Sequence, residues 1–310
     1  MKRWYLPAAA ALGIGLFAWT IYSVGPAELL SQMRALAHVL PLILLLAGVR
    51  FWCQAAGWHL AMPAGQRPSW TATYTAVVAG EAAGYFAWGP VSREPMKALL
   101  VADCVPQRTA LTAAVFERFI YTIPATLLIV IGIGIAAVRF HFLGWFVIGS
   151  SAALVAALGA GRYWRRVGGD LRRHRRSLTA MALLAAAQES SNVVEAYLVL
   201  AWLGASPALT AVVVLEGLSR LMNSAGQFIP GKLGVTEAAT TALAQGLSLG
   251  GAHGLSLALA RRVRSLAWGA LGIALVTLRA INRQDITHDS IHALRVRGGH
   301  LAVPAGGLLQ

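Results

Sequence analysis

The sequence has few charged residues and few cysteines for its length. Asp, Glu, Lys and Arg make up 12% of the 310 residues, about half the roughly 25% of a soluble globular chain. The two cysteines, Cys53 and Cys104, are too few for a disulfide framework or a cysteine metal site. The remainder is 57% hydrophobic with a mean hydropathy of +0.62, and windows of about 20 apolar residues recur, the length that spans a bilayer. We therefore predict an integral membrane domain over residues 1–282 and a loosely ordered cytoplasmic tail over 283–310.

The sequence also lacks the common signatures of an active site. Its eight histidines show no metal-ligand spacing, and neither a P-loop nor a G-x-S-x-G turn occurs. Acidic residues number 12 against 26 Lys and Arg, which gives a formal net charge of +14. The arginines cluster in loops that flank apolar segments, as expected of topology signals rather than of a nucleic-acid site. We expect no enzymatic activity, no metal, no cofactor and no nucleic-acid partner.

The arginine distribution predicts how the chain is oriented in the membrane. The loop 161–177 carries seven arginines against Asp170, which places it in the cytoplasm. Lys2 and Arg3 place the N-terminus on the same side, and the last span returns the C-terminus there. The predicted spans are 4–24, 39–62, 109–138, 142–160, 178–203 and 254–281. We expect a multi-pass protein of the inner membrane with both termini cytoplasmic.

Two apolar stretches are broken in the middle. Residues 206–250 contain Gly226, Pro230, Gly231 and Gly234 near their centre, and residues 70–101 are interrupted at Trp88-Gly89-Pro90. Counting sides makes 69–108 start and end in the cytoplasm and 206–250 start and end outside. We predict an all-α, polytopic transmembrane bundle with two oppositely oriented re-entrant hairpins, an inverted repeat whose site lies at the midplane.

Charged and amide side chains inside these apolar segments are the candidate binding residues. Glu216, Arg220, Asn223 and Gln227 share one helical face, on which Glu216 and Arg220 can pair. A charge at the bilayer centre costs at least about 2.5–3.5 kcal/mol, which favours a cavity lining over simple helix–helix contacts. The complete candidate set is Arg93, Lys97, Glu117, Arg118, Glu195, Glu216, Arg220, Asn223, Gln227, Lys232, Glu237 and Arg264.

Several basic residues have more than one interpretation. Arg50, in segment 39–62, fits either an inward polar face or a side chain that snorkels to the interface. Arg261 forms a stripe with Ser265 and Trp268 on the last helix that could pair with acidic helix faces in a polar interior. The alternative for Arg261 and Arg262 is an interfacial position near the outer surface. Lys232 lies at the tip of the second hairpin, where backbone N–H groups and a helix N-terminus suit an anionic group such as a lipid phosphate.

Three segments carry a family resemblance. Phe228-Ile-Pro-Gly-Lys-Leu-Gly-Val-Thr-Glu237 resembles the PGGLGxxE-type motif of the flippase-like membrane family, which includes the transmembrane half of lysylphosphatidylglycerol synthases. Glu117-Arg118-Phe119 resembles that family's E-R-hydrophobic motif, and residues 88–97 resemble its first hairpin motif, with Lys97 where Arg is usual. The resemblance covers about residues 5–281 and implies an integral membrane protein that handles lipids between leaflets. Lysyl transfer is not expected.

These observations predict a lipid transporter that binds an anionic lipid headgroup in a polar midplane cavity. A small-solute or ion transporter would use the same cavity, and a non-transporting accessory subunit of a lipid-modifying enzyme is a further alternative. A polar stripe fully consumed by internal ion pairs would favour the accessory role. The expected partners are anionic membrane lipids, with a lipid-modifying enzyme or a second copy of the chain as alternatives.

Overall fold

The described part of the chain is entirely helical. The computed structural model describes residues 26–86, 90–140, 175–225 and 234–298, together with Trp19 and Tyr22. Its nine helices in these ranges are α1 (Pro26–Leu36), α2 (Leu40–Ala61), α3 (Trp70–Phe86), α4 (Pro90–Leu100), α5 (Gln107–Phe140), α6 (Arg175–Trp202), α7 (Leu209–Ala225), α8 (Val235–Gly246) and α9 (Gly251–Gly298). A short 3-10 turn, Ala64–Gln66, follows α2. The predicted all-α class is confirmed, whereas nearly all of the predicted span 4–24, the predicted span 142–160 and most of the arginine-rich loop 161–177 lie outside the described residues.

Prolines mark several of the helix boundaries. Pro26 and Pro90 are the first residues of α1 and α4, a position at which the missing N–H would have no intrahelical partner anyway. Pro63 follows the end of α2 by two residues, where it prevents the helix from continuing. The predicted ends of segments 39–62 and 109–138 therefore fall within two residues of the observed ones.

Among the described helices, two are long and apolar enough to cross a membrane by length and composition: Leu40–Ala61 and Gln107–Val138. α6 has 28 residues, about 42 Å at 1.5 Å per residue, but it carries buried charges. α9 is a continuous helix of 48 residues to Gly298. The predicted division at residue 282 therefore falls inside a helix, and the tail boundary stays a prediction.

Two pairs of shorter helices form hairpins that lie between the longer helices along the chain. α3 packs against α4, and α7 packs against α8. α3 and α7 both have 17 residues, whereas α4 and α8 have 11 and 12. At 1.5 Å per residue the short arms reach only about 16–18 Å, little more than half of a hydrocarbon core about 30 Å thick.

The hairpins pack on the long helices in a crosswise arrangement. α3 lies on α9 and α4 on α5, while α7 lies on α5 and α8 on α9. α2 and α6 pack against each other in antiparallel directions, because Arg50 meets Glu195 whereas Cys53 and Gly57 share a cavity with residues 181–188. Each helix of α2–α5 thus has a counterpart in α6–α9: α2 in α6, α3 in α7, α4 in α8 and α5 in α9. If every helix is exchanged with its counterpart, the set of packed pairs stays the same.

Glycine lets the backbones approach closely at one point in each crossing. A Cβ on Gly217 of α7 would lie 2.7 Å from the Leu128 carbonyl oxygen of α5, and a Cβ on Gly272 of α9 would lie 2.8 Å from the Val78 carbonyl oxygen of α3. Val78 and Gly217 are the ninth residues of α3 and α7, and Leu128 and Gly272 the twenty-second residues of α5 and α9. The crossing of α7 with α5 and the crossing of α3 with α9 thus make contact at matching positions. The glycine belongs to the hairpin helix α7 in the first and to the long helix α9 in the second.

Among the described helices, many large apolar side chains are exposed and many charged ones are buried. Leu127 and Val138 on α5 are 56% and 83% exposed, whereas Glu195 is 1% exposed and Lys97 is fully buried. Lys and Glu are almost never buried in soluble proteins unless they are paired. The arrangement suits a chain whose outer face contacts lipid.

Candidate functional site

A network of buried ion pairs occupies the interior of the helical bundle. Within the described ranges it comprises nine ion pairs in five separate groups, which together contain seven carboxylates and seven cations, so that the formal charges balance. The members are Glu81, Glu94, Glu117, Glu189, Glu195, Glu216 and Glu237 with Arg50, Arg93, Lys97, Arg220, Arg261, Arg262 and Arg264. A buried charge without a partner is strongly destabilising, which explains why acids and bases occur together in these apolar helices.

Glu195 on α6 is the centre of the network. Arg264 donates to its Oε2, Arg261 Nε lies 3.1 Å from its Oε1, and Arg50 Nη1 lies 3.8 Å from Oε2. Arg261 also donates from Nη2 to Glu216 Oε1 at 2.7 Å. Three arginines therefore share two carboxylates, which leaves this part of the network with one excess positive charge.

Arg50 lies at the middle of α2 and turns inward. It follows Leu40 by ten residues and precedes Ala61 by eleven, about 15 Å from either end of the helix. Its guanidinium donates to the Asn192 side chain in addition to its contact with Glu195. The interior position, rather than a snorkelling one, is therefore correct.

In the first hairpin, Lys97 on α4 is enclosed by acids. Its Nζ lies 2.6 Å from Glu94 Oε2 and 3.2 Å from Glu117 Oε2, and 5.2 Å from the centre of the Trp58 ring. Gly80 provides the space, since a Cβ there would lie 2.6 Å from the Lys97 Cγ. Lys97 thus holds the hairpin to α5.

A second contact of this hairpin joins its own arms. Arg93 Nη2 on α4 lies 2.5 Å from Glu81 Oε2 on α3. Glu81 is the most exposed carboxylate of the network, with about a third of its side chain accessible.

In the second hairpin, Glu237 has two roles. Its Oε2 accepts the Gly234 N–H at 2.9 Å and caps α8, while its Oε1 accepts from Arg262 of α9 at 2.5 Å. Gly234 has a φ of 79°, a conformation that favours glycine. The glycine of the sequence motif therefore makes the turn that aims Glu237 at α9.

The stripe predicted on α7 is divided among several neighbours. Glu216 and Arg220, which can pair along the helix, each take a partner from another helix: Arg261 for Glu216, and Glu189, at 2.5 Å, for Arg220. Asn223 accepts a hydrogen bond from Thr236 of α8 at 2.8 Å. Gln227 and Lys232, which complete the stripe and the hairpin tip, lie outside the described residues.

Glu117 and Arg118 are adjacent in sequence and point in different directions. Glu117 is buried against Lys97, whereas the Arg118 guanidinium lies 5.4 Å from the centre of the Tyr121 ring. Adjacent residues on a helix point about 100° apart, which accounts for their separate surroundings.

A cavity adjoins the central arginines. It has a volume of about 40 Å³ and lies between α2, α3 and α9. Its wall includes the side chains of Arg50, Glu81, Tyr85, Arg264, Ser265 and Trp268. Two guanidinium groups against one carboxylate make this wall suited to an anion. No group of three or more His, Cys, Asp or Glu that could hold a metal ion occurs in the part of the chain that the structure describes.

Six members of the network were not among the twelve candidates: Arg50, Glu81, Glu94, Glu189, Arg261 and Arg262. Arg261 and Arg262, for which an interfacial position was considered, instead bind Glu195, Glu216 and Glu237 inside the bundle. The available signal was the near-equal number of acids and bases within apolar segments, since such charges require partners.

The chain was compared with known families and proteins. The family model described as Lysylphosphatidylglycerol synthase TM region matches residues 7–273. No curated protein and no solved structure gives a significant match.

Proposed function

The chain belongs to the family of lysylphosphatidylglycerol synthase transmembrane regions, and from this premise we propose that it transports lipids between membrane leaflets. The family is one of membrane proteins of lipid metabolism or transport. In the proposed mechanism an anionic lipid headgroup enters the interior cavity while its acyl chains stay in the bilayer. The protein acts as a transporter rather than an enzyme, in the inner membrane, with both termini in the cytoplasm.

An inverted repeat is the architecture we propose for this transport. The packed pairs are unchanged when α2–α5 are exchanged with α6–α9, as a two-fold relation requires. A two-fold axis parallel to the helices would make two equivalent helices run in the same direction. α2 and α6 run in opposite directions. In the proposed repeat the axis is therefore perpendicular to the helices and lies in the plane of the membrane, as in transporters with inverted repeats.

The hairpins fit a re-entrant arrangement because their arms are short. Their second arms have 11 and 12 residues, against the roughly 20 that a spanning helix needs. Non-helical backbone is tolerated at membrane depth only where protein covers it or a wet cavity adjoins it. In the proposed topology the first hairpin enters from the cytoplasm and the second from the opposite side.

The observation that carries the headgroup site is the pair of arginines on the cavity wall. Arg50 and Arg264 both contact Glu195 and both border the cavity, and with Arg261 they exceed the local carboxylates by one charge. Guanidinium groups bind phosphate through paired hydrogen bonds. A phosphate in the cavity would take donors that now point at Glu195 and would balance the excess charge.

Translocation of a headgroup-labelled lipid tests this proposal. The purified protein is placed in phosphatidylcholine vesicles that contain headgroup-labelled phosphatidylglycerol, and the loss of label from the outer leaflet is followed. We expect Arg264→Gln to slow translocation about tenfold, the effect of losing roughly 1.4 kcal/mol of binding. Arg108→Gln, at an exposed position at the start of α5, is the matched control and should have no effect. Equal rates for Arg264→Gln and Arg108→Gln would contradict the site.

The completeness of the ion pairing favours a second candidate, an accessory subunit that does not transport. Each of the seven carboxylates in the described network already has a cation within 4.0 Å, so the network could serve stability alone. A folded wild-type protein that moves no lipid in vesicles would support this role. Its partner would then be a lipid-modifying enzyme or a second copy of the chain.

A further inference from the structure

The group of ion pairs around Lys97 contains one more acid than base. The Lys97 ammonium lies between Glu94 of its own helix and Glu117 of α5, at 2.6 and 3.2 Å. Lys97 is fully buried, and the Glu94 and Glu117 side chains are 8% and 5% exposed. If all three were ionised, the group would carry one surplus negative charge. A buried charge without a partner is strongly destabilising, so this group favours one further positive charge.

Glu94 is the acid that lacks compensation. Lys97 donates a hydrogen bond to Glu117 Oε2, whereas its short contact with Glu94 does not have the angles of a hydrogen bond. Both Glu94 oxygens are buried and accept no hydrogen bond from the described residues. Burial of a carboxylate without hydrogen-bond donors is costly, and such a group becomes neutral instead. A single proton on Glu94 removes the surplus charge, whereas a hard metal cation would need about six oxygen ligands.

The other charged and titratable groups near Glu94 leave this count unchanged. α4 packs against α3 and α5. On α4, Arg93 pairs with Glu81 of α3 at 2.5 Å. On α5, Arg118 lies over the Tyr121 ring and forms no ion pair with a described residue, and the Tyr121 phenol is uncharged at neutral pH. The surplus acid therefore finds no second cation among these groups.

The central group around Glu195 has the opposite imbalance. Its three arginines face two carboxylates, which leaves one surplus positive charge beside the cavity. With a proton on Glu94, the described network as a whole is positive by one charge, and a lipid phosphate with one negative charge restores neutrality. Proton and phosphate therefore each favour binding of the other, which is the reciprocity of coupled sites.

Glu81 connects the two groups. It borders the cavity beside Arg264 and pairs with Arg93, the residue that directly precedes Glu94 on α4. A phosphate held by Arg264 would repel the Glu81 carboxylate, and the ion pair of Glu81 with Arg93 would pass this force to the hairpin arm that carries Glu94. The cavity and the Lys97 group are thus joined by one ion pair.

We propose that Glu94 is a proton-binding site and that one proton accompanies each lipid through the protein. The inference rests on the lipid transport proposed above and adds its driving ion. A proton from water binds a Glu94 oxygen and forms an O–H bond, which makes the interior positive and favours entry of the phosphate. Return of that proton to water on the other side of the membrane leaves the interior negative and favours release of the phosphate. Each cycle moves one proton and one phosphate charge, so no net charge crosses the membrane.

Infrared spectroscopy tests the proton site without any transport. A protonated carboxyl group has a C=O stretching band that a carboxylate lacks, and the band shifts in heavy water. In an ester-free detergent at neutral pH, we expect this band in the wild-type protein and its loss in Glu94→Gln. Asp103→Asn, at an exposed acid just after α4, is the matched control and should keep the band. Absence of the band from the wild-type protein, or an equal band in Glu94→Gln, overturns the proton site.

A pH gradient tests the coupling. Translocation of headgroup-labelled phosphatidylglycerol into phosphatidylcholine vesicles is followed with and without an exterior that is more acidic by about one pH unit, which is about a tenfold difference in proton activity. We expect the gradient to speed wild-type translocation by up to about tenfold. The rate of Glu94→Gln should be the same with and without the gradient, because its side chain cannot release a proton. Asp103→Asn should respond as the wild-type protein does.

The outcomes separate the coupling from the proposed function. Wild-type translocation that ignores the pH gradient, or that follows a sodium gradient instead, overturns the coupling and leaves lipid transport intact. A folded wild-type protein that moves no lipid overturns lipid transport and the coupling, while the infrared band still decides the proton site. A Glu94→Gln protein that fails to fold also contradicts the inference, because Gln should be tolerated where Glu94 is already neutral.

Discussion

The two halves of the molecule carry opposite charges at matching positions along their helices. The twelfth residue of the long hairpin arm is Glu81 in α3 and Arg220 in α7, and the eleventh residue of the long helix is Glu117 in α5 and Arg261 in α9. All four are paired, with Arg93, Glu189, Lys97 and the two acids Glu195 and Glu216 respectively. The fold therefore determines where an interior charge lies and requires a partner for it, but it accepts either sign.

The halves also differ in how the short arm is held. In the first half Lys97 forms ion pairs with Glu94 of its own helix and with Glu117 of α5. In the second half the acid belongs to the hairpin and the cation to the long helix, as Glu237 and Arg262. The hairpin therefore supplies the cation in the first half and the acid in the second. Substitutions in the two halves should have different and measurable consequences.

The largest effect is expected for Glu195→Gln. This change leaves Arg50, Arg261 and Arg264 with one carboxylate between them, and removing one member of a buried ion pair costs about 3–5 kcal/mol. Thermal unfolding in detergent, followed by tryptophan fluorescence, should show the loss. Glu81→Gln is the control, because Glu81 has one ion-pair partner among the described residues and is about a third exposed, and partly exposed pairs contribute about 0–1 kcal/mol. Equal losses for the two variants would show that Glu195 is not the centre of the network.

Lys97→Met should rank next. It leaves Glu94 and Glu117 buried without their shared cation, with an expected loss of about 3 kcal/mol in unfolding free energy. Adding Glu117→Gln should restore part of that loss, because it removes one of the two orphaned charges. The same unfolding measurement applies, and a double variant no more stable than Lys97→Met would contradict the pairing.

Substitution of the crossing glycines compares the halves directly. Gly217→Ala and Gly272→Ala place a Cβ 2.7 and 2.8 Å from backbone carbonyl oxygens, so each should lose about 1–3 kcal/mol through overpacking. Gly134→Ala, with nothing within 4 Å of its Cβ, should be neutral or gain up to about 1 kcal/mol. A large loss at one crossing and none at the other would break the proposed equivalence of the halves.

The smallest effect is expected for Arg118→Gln. Arg118 and Arg262 are both the twelfth residues of their helices, but Arg262 pairs with Glu237 whereas Arg118 lies over the Tyr121 ring. Cation–π contacts contribute about 0.5–1 kcal/mol at exposed sites. Unfolding of Arg118→Gln should therefore shift much less than that of Arg262→Gln, and similar shifts would contradict the contrast.

Local sequence patterns predicted the positions of the helices. The site was predicted only in part, because the partners of its buried charges lie on helices that are distant in the sequence. Apolar length predicted α2 and α5 to within two residues, and the predicted break around Gly226–Gly234 falls between the end of α7 and the start of α8. The i, i+4 spacing placed Glu216 and Arg220 on one face, but it could not show that α6 and α9 supply their closest partners. The two interpretations of Arg261, an inward stripe and an interfacial position, stayed open for the same reason, because an arginine near a helix end fits both until its carboxylates are located.

The orientation of the two hairpins is the central claim, and thiol accessibility tests it most directly. Cys104 lies exposed in the turn between α4 and α5, and Ala208 is exposed just before α7. In oriented vesicles, a membrane-impermeant maleimide should label Cys104 only from the cytoplasmic side. In a protein carrying Ala208→Cys and Cys104→Ser, it should label the thiol only from the opposite side. Labelling of both positions from the same side would contradict the inverted arrangement.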